Sequence, residues 1–109
     1  MELDHFTIKK FKPGRVLDGH VHDLLGVPEP VWPYSTNEKA QVRLREWLAA
    51  NRVEIRLPRW RRPDEDTFVH VGELTDRFSA LSTNHALCLA VLLANYLKKH
   101  GKKITYGRF

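Results

Sequence analysis

Residues 82–100 read STNHALCLAVLLANYLKKH. Ser82 or Thr83 is a helix cap, Gly101 stands where a C-cap glycine is expected, and between them the 3.6-residue period is so densely apolar that it covers nearly every face of the first half. Ala86, Leu87, Leu89, Ala90, Val91, Leu92, Leu93 and Ala94 leave no polar stripe. A helix apolar all round must be buried on more than one side. This segment is therefore the centre of the fold, lying under a sheet and covered again by another helix or by a second subunit, and the second option predicts a homo-oligomer.

Working back from that helix, the period changes to 2 in two places. Over residues 52–57, Val53, Ile55 and Leu57 alternate with Arg52, Glu54 and Arg56, the pattern of a half-buried strand. Residues 67–71 form a second candidate strand, with Phe68 and either Val69 or Val71 turned to the core, close enough in sequence to pair with the first as an antiparallel ribbon. Earlier still, Ser35-Thr36-Asn37-Glu38 is a capping-box sequence. It opens an amphipathic helix over about 36–50, with Ala40, Leu44, Trp47 and Leu48 on the buried stripe. Residues 16–25 have helical spacing closed by Gly26, and the proline-rich 26–33 stretch is an extended connector. Residues 1–12 alternate loosely and read as an edge strand or extended arm before Pro13-Gly14. Residues 104–106 read as a short final strand. The sum is an α+β, sandwich-like fold, a small antiparallel sheet of two to four strands packed by helices at about 36–50 and 82–100.

Composition bounds the function. A chain of 109 residues, 42% apolar and 28% charged, is one domain (1–109) and too short for an eight-unit strand-helix barrel, which takes roughly 250 residues. The single cysteine, Cys88, allows neither an internal disulfide nor a thiolate zinc site. No apolar h-region stands at the N-terminus, and the longest apolar run, 86–94, is about half of a membrane span. These features predict a soluble protein of a reducing compartment, with no membrane partner.

Charge is segregated. Residues 52–62 hold Arg52, Arg56, Arg59, Arg61 and Arg62 against Glu54 alone, and the last fifteen residues hold five bases and no acid, so the rest of the chain is net acidic although the whole is +5. Such patches favour an anionic partner. The alternative is that the lysines complement a helix dipole and the arginines solvate a strand face.

Asp18-Gly19-His20-Val21-His22-Asp23 superficially resembles an amidohydrolase metal motif. On a helix, however, His20 and His22 lie about 200° apart, and only Asp18 and His22 share a face. Neither a metal nor a cofactor is expected, and these side chains read as solvated or interface polar groups. His70 and His85 are the acid-base candidates, but no nucleophile elbow accompanies them, and Cys88 in its apolar helix reads as a small packed hydrophobe. No Gly-rich phosphate loop occurs. Arg59-Trp60-Arg61-Arg62, with Arg52 and Arg56 leading into it, is the strongest functional feature. Guanidinium groups fork onto phosphate oxygens and an indole stacks on a base, which suits a nucleotide or a single strand. The competing reading packs Trp60 on the core while the arginines reach into water. Asn84 and His85, in the first turn of the last helix, would complete a cleft with the arginine strand.

Leu17-Asp18, the Trp32-Pro33-Tyr34-Ser35-Thr36 helix entry and Ala86-Leu87-Cys88-Leu89-Ala90, in that order, resemble the phage ABA-sandwich proteins over most of residues 16–97. The resemblance implies a small α/β protein of a phage or prophage, acting in the cytoplasm of the infected bacterium, and brings no activity with it. The basic tail and the Arg-Trp-Arg-Arg segment depart from that pattern.

Together these readings predict a non-enzymatic binding protein that takes a nucleotide-type anion through Arg52, Arg56, Arg59, Trp60, Arg61, Arg62, Asn84 and His85, as in the sequestration of a nucleotide signal of host defence. The alternatives are a nucleic-acid binder, an inhibitor that blocks a host protein through its basic surface, and a small hydrolase using His70 or His85.

Overall fold

A computed structural model of the chain describes residues 4–28, 30–57 and 66–100. Within them four α-helices and a three-stranded antiparallel sheet form an α+β fold. The helices are α1 (His5–Lys10), α2 (Arg15–Leu25), α3 (Gln41–Ala50, entered through a 3-10 turn at Glu38–Ala40) and α4 (Thr83–His100). The strands are β1 (Val53–Arg56), β2 (Thr67–Val71) and β3 (Leu74–Phe78), in the order β1-β2-β3.

Helix α4 is the hub. It packs on β2 and touches α1, α2 and α3, and every residue from Ala86 to Ala94 is buried. Its all-round apolar surface is thus covered by other elements of the same chain, and its burial requires no second subunit. Ser82 caps it, the hydroxyl accepting from His85 N–H at 3.1 Å, as the sequence indicated. Cys88 is fully buried, and burial, followed in weight by the nearby Asp18 carboxylate, pushes its thiol far above the ordinary range. The sequence reading of Cys88 as a small packed hydrophobe agrees with that burial.

The sheet pairs Val53 with Val71 and Arg56 with Phe68 on one side of β2, and Thr67 with Phe78 and Val71 with Leu74 on the other. Strand β3 was not anticipated. Its signal is Gly72-Glu73, a two-residue hairpin loop in which Gly72 sits at φ 61° and Glu73 keeps a negative φ, the arrangement that favours glycine at the first loop position. The register turns Thr67, Val69 and Val71 inward, so Phe68, expected to face the core, stands on the opposite face, half-buried.

Two further expectations are corrected. Residues 5–10 are helical rather than extended: Asp4 caps α1 by accepting from Thr7 N–H at 2.7 Å, and Ile8 is its buried residue. At under two turns the apolar spacing is too brief to separate a helix from a strand, and the Asp4 cap was the usable sign. Ser35 does not cap α3. Asn37 caps the 3-10 turn that leads into it, accepting from Lys39 N–H, and Ser35 is buried, its N–H donating to Asp18 at 2.7 Å and its hydroxyl accepting from Gly14 N–H at 2.9 Å. The 3-10 turn therefore starts at Glu38 and α3 itself at Gln41, later than the expected start near 36, but Ala40, Leu44 and Leu48 form the buried stripe as the periodicity required, with Trp47 half-buried. Gly101 and the possible strand at 104–106 lie outside the described residues.

A polar network fixes how the 34–37 turn meets α2 and α4. Tyr34 is 0% exposed and its hydroxyl is hydrogen-bonded to His22 Nδ1 at 3.0 Å. Asn84 donates to the carbonyls of Tyr34 (2.9 Å) and Asn37 (2.6 Å) and accepts from Gln41 Nε2 (2.8 Å). Asp18 and His22, read as solvated or interface groups, are instead buried anchors of this turn. Sequence had already placed them on one face of α2. What it lacked was the partners, the Ser35 amide seventeen positions and the Tyr34 hydroxyl twelve positions away, whose approach leaves no trace in composition.

Candidate functional site

With α4 packed on β2 and α3 on β1, the helices occupy one side of the sheet. The two-residue period of the strands then assigns every side chain to a face. Inward go Val53, Ile55, Thr67, Val69, Val71, Leu74, Asp76 and Phe78. Outward go Glu54 and Arg56 from β1, Phe68 and His70 from β2, and Thr75 and Arg77 from β3. Among the described residues no helix lies over this outer face.

The pairing lines these residues up in two cross-strand rows, each residue about 4.5–5.5 Å between Cβ atoms from its neighbour. One row is Glu54, His70 and Thr75, where His70 Nδ1 and the Thr75 hydroxyl are hydrogen-bonded at 2.9 Å. The other is Arg56, Phe68 and Arg77, a half-buried ring between two exposed guanidinium groups. Neither arginine has an ion-pair partner among the described residues, whose single ion pair is Lys9 Nζ to Asp76 Oδ1 at 2.6 Å. Around the rim of the sheet, beside β3, a cavity of about 420 Å³ is lined by Phe68, Arg77, Thr75, Asp76 and Lys9. Asp76 is only 6% exposed. Its Oδ1 also accepts from Arg77 N–H at 2.8 Å, which fixes the carboxylate against the backbone of β3.

The eight residues singled out from sequence fare differently. Arg56 is on the outer face. Arg52 is exposed but occupies the turn between α3 and β1 at φ 57°, outside the row. Arg59, Trp60, Arg61 and Arg62 lie outside the described residues, in the stretch of sequence that joins β1 to β2. Asn84 has both amide protons and its carbonyl engaged in the network around the 34–37 turn.

His85 is likewise engaged at both ring nitrogens. Leu81 N–H donates to Nδ1 at 3.0 Å, so the ring proton sits on Nε2, where it is donated to the Phe11 carbonyl at 2.7 Å. Burial lowers its pKa below the ordinary histidine value, an effect only partly opposed by the bond to Phe11, and the positive charge of Lys12 lowers it further. His85 is therefore a neutral clamp between the end of α1 and the start of α4, with no nitrogen left for proton transfer in this arrangement. The cleft expected between the arginine strand and Asn84 with His85 does not form from these two side chains.

Arg77 and Phe68 were missed as members of the site. Recognising Gly72-Glu73 as a hairpin loop would have placed Arg77 opposite Phe68 by counting alone, since Val71 pairs with Leu74. Among the described residues no group of three or more His, Cys, Asp or Glu side chains is placed to hold a metal ion, and no helix is long and apolar enough to cross a membrane. Comparison with protein-family models, with curated proteins and with solved structures gives no match.

Proposed function

We propose that this protein is a non-enzymatic binder of a nucleotide-type anionic ligand, received on the outer face of the sheet. The observation that carries the reading is the row Arg56, Phe68, Arg77, two guanidinium groups without ion-pair partners among the described residues, flanking an aromatic ring on the outer antiparallel face. Phe68 offers a surface on which a base stacks, worth about 1–3 kcal/mol, and the arginines offer forked donors to phosphate oxygens, each charge-assisted bond worth about 1.5–3 kcal/mol. The row stands at the end of β1 and the start of β2, and the sequence between those strands contains Arg59, Trp60, Arg61 and Arg62, residues of the same two kinds. On the strength of the residues shared with phage ABA-sandwich proteins, the reading extends to a phage-encoded protein in the cytoplasm of an infected bacterium that withdraws a nucleotide signal from host defence.

Isothermal titration with linear and cyclic nucleotides tests this. Heat of binding is expected with at least one of them, weakened about tenfold or more by Arg56→Ala or Arg77→Ala, the loss of one charge-assisted bond. Absence of heat with every nucleotide would remove the reading.

A further inference from the structure

We infer that the ligand is an extended single strand of nucleic acid rather than a lone nucleotide, held in a basic groove that runs from Phe68 past Lys9 to Lys12; this rests on the outer face of the sheet being the ligand face. A second cavity, of about 370 Å³, lies against Lys10, Phe11, Lys12, Leu81 and His85, and it shares Lys9 with the cavity beside Phe68. The shared lysine makes the two cavities consecutive. One wall follows the chain from Thr75 on β3 through Ser79 to Leu81, and the other is the end of α1 with the residues after it. At about 3.3 Å per extended residue, that wall is on the order of 20 Å long, more than one nucleotide fills.

Each cavity repeats the same two components. The first has Phe68 with Arg77, and the second has Phe11, half-buried with its ring 5.0 Å from that of His20, with Lys10 and Lys12. Among the described residues Asp76 is the single carboxylate that lines either cavity, and it is committed to Lys9, which leaves Arg77, Lys10 and Lys12 without ion-pair partners there. Aromatic faces alternating with unpaired cations along a groove suit a sugar-phosphate strand with unstacked bases. His85 adds no base-reading group, because its one ring proton is given to Phe11. Recognition is thus by charge and stacking, with little dependence on base sequence.

Fluorescence anisotropy over a range of salt concentrations tests the groove, with a labelled oligodeoxythymidine of about a dozen nucleotides, within the usual single-strand site size, its duplex with oligodeoxyadenosine, thymidine monophosphate as competitor, and an oligoglutamate peptide as a second competitor. The expected result is single-strand binding at least tenfold tighter than that of the duplex or the mononucleotide. Lys10→Ala/Lys12→Ala, both on exposed positions, is expected to weaken it at least tenfold and to lower the salt slope by about 1.4, some 0.7 for each phosphate that the variant no longer neutralises. Equal affinity for the mononucleotide and the oligonucleotide, or a salt slope unmoved by the double variant, would overturn the groove while leaving the outer-face reading in place. Displacement by oligoglutamate at a concentration where thymidine monophosphate has no effect would overturn it in favour of an acidic peptide. Single-strand binding that depends on Lys10 and Lys12 but not on Phe68 or Arg77 would instead overturn the outer-face reading, and no binding by any probe would remove both.

Discussion

The two faces of one sheet show opposite solutions to the same alternating pattern. On the covered side, Val53, Val69 and Phe78 are buried against the helical layer, Asn84 is engaged by three partners and His85 by two, and only Thr67 Oγ1 and one Asp76 oxygen among the inward sheet groups are buried without a partner among the described residues. On the open face, Arg56 and Arg77 are exposed and without ion-pair partners among the described residues. Adjacent residues such as Phe68 and Val69 fall on opposite sides of this divide. Polarity alone therefore does not mark function here. Asn84, buried beside a histidine, is tied into the frame by its hydrogen bonds, whereas a phenylalanine that looked like core stands between two cations without ion-pair partners among the described residues.

The largest effect should come from moving charge across that divide. Val69→Asp places a carboxylate among buried side chains with no prepared partner and is expected to cost several kcal/mol, enough to abolish cooperative melting. Phe68→Asp on the other face should cost about 1 kcal/mol or less, read by urea denaturation. Equal losses would break the distinction between the faces. Next, Asn84→Ala strands the carbonyls of Tyr34 and Asn37 and the amide of Gln41, and an expected loss of about 2–4 kcal/mol in the same measurement would place the network on the structural side.

Acid should act through His85. Its folded-state pKa is depressed, so below the ordinary value of 6.5 the unfolded chain binds more protons than the folded one. The stabilising contribution is complete above pH 6.5 and falls as pH drops, by at most about 1.4 kcal/mol per unit, until the folded-state pKa is reached. Denaturation midpoints measured between pH 7 and 5, with His85→Gln as control, check the sign: the decline should be shallower in the variant. The smallest effects are at glycines. Gly72→Ala forces a side chain into left-handed geometry and should cost about 1–2 kcal/mol. Gly19→Ala, inside α2 with nothing within 4 Å of the added methyl, should gain about 1 kcal/mol in melting experiments.

Legibility in the sequence followed the clarity of the repeating signal. Helix α4, with eighteen residues and a cap, was readable almost to the residue, and β1 was set by strict alternation. α1, under two turns long, and β3, where the inward Asp76 interrupts the apolar alternation, depended on a cap and a turn, Asp4 and Gly72, whose meaning shows only beside a partner. For the candidate site, Arg56 was legible because it sits on an alternating strand. Arg77 was not, since its place beside Phe68 comes from pairing through β3. The hydrogen bonds that tie down Asn84 and His85 were not legible because most of the groups that engage them, at Tyr34, Asn37, Phe11 and Leu81, are backbone atoms, which any residue could supply.

The claim that the open face is the ligand face is tested most directly by nuclear magnetic resonance. Isotope-labelled protein would be titrated with the oligodeoxythymidine while backbone amides and the Phe68 ring are followed. The account predicts shift changes centred on Arg56, Phe68 and Arg77 and continuing to Lys9, Lys10 and Lys12, with Val69 and the core of α4 little moved. Changes confined to the helical side, with the Arg56–Phe68–Arg77 row silent at saturation, would contradict it.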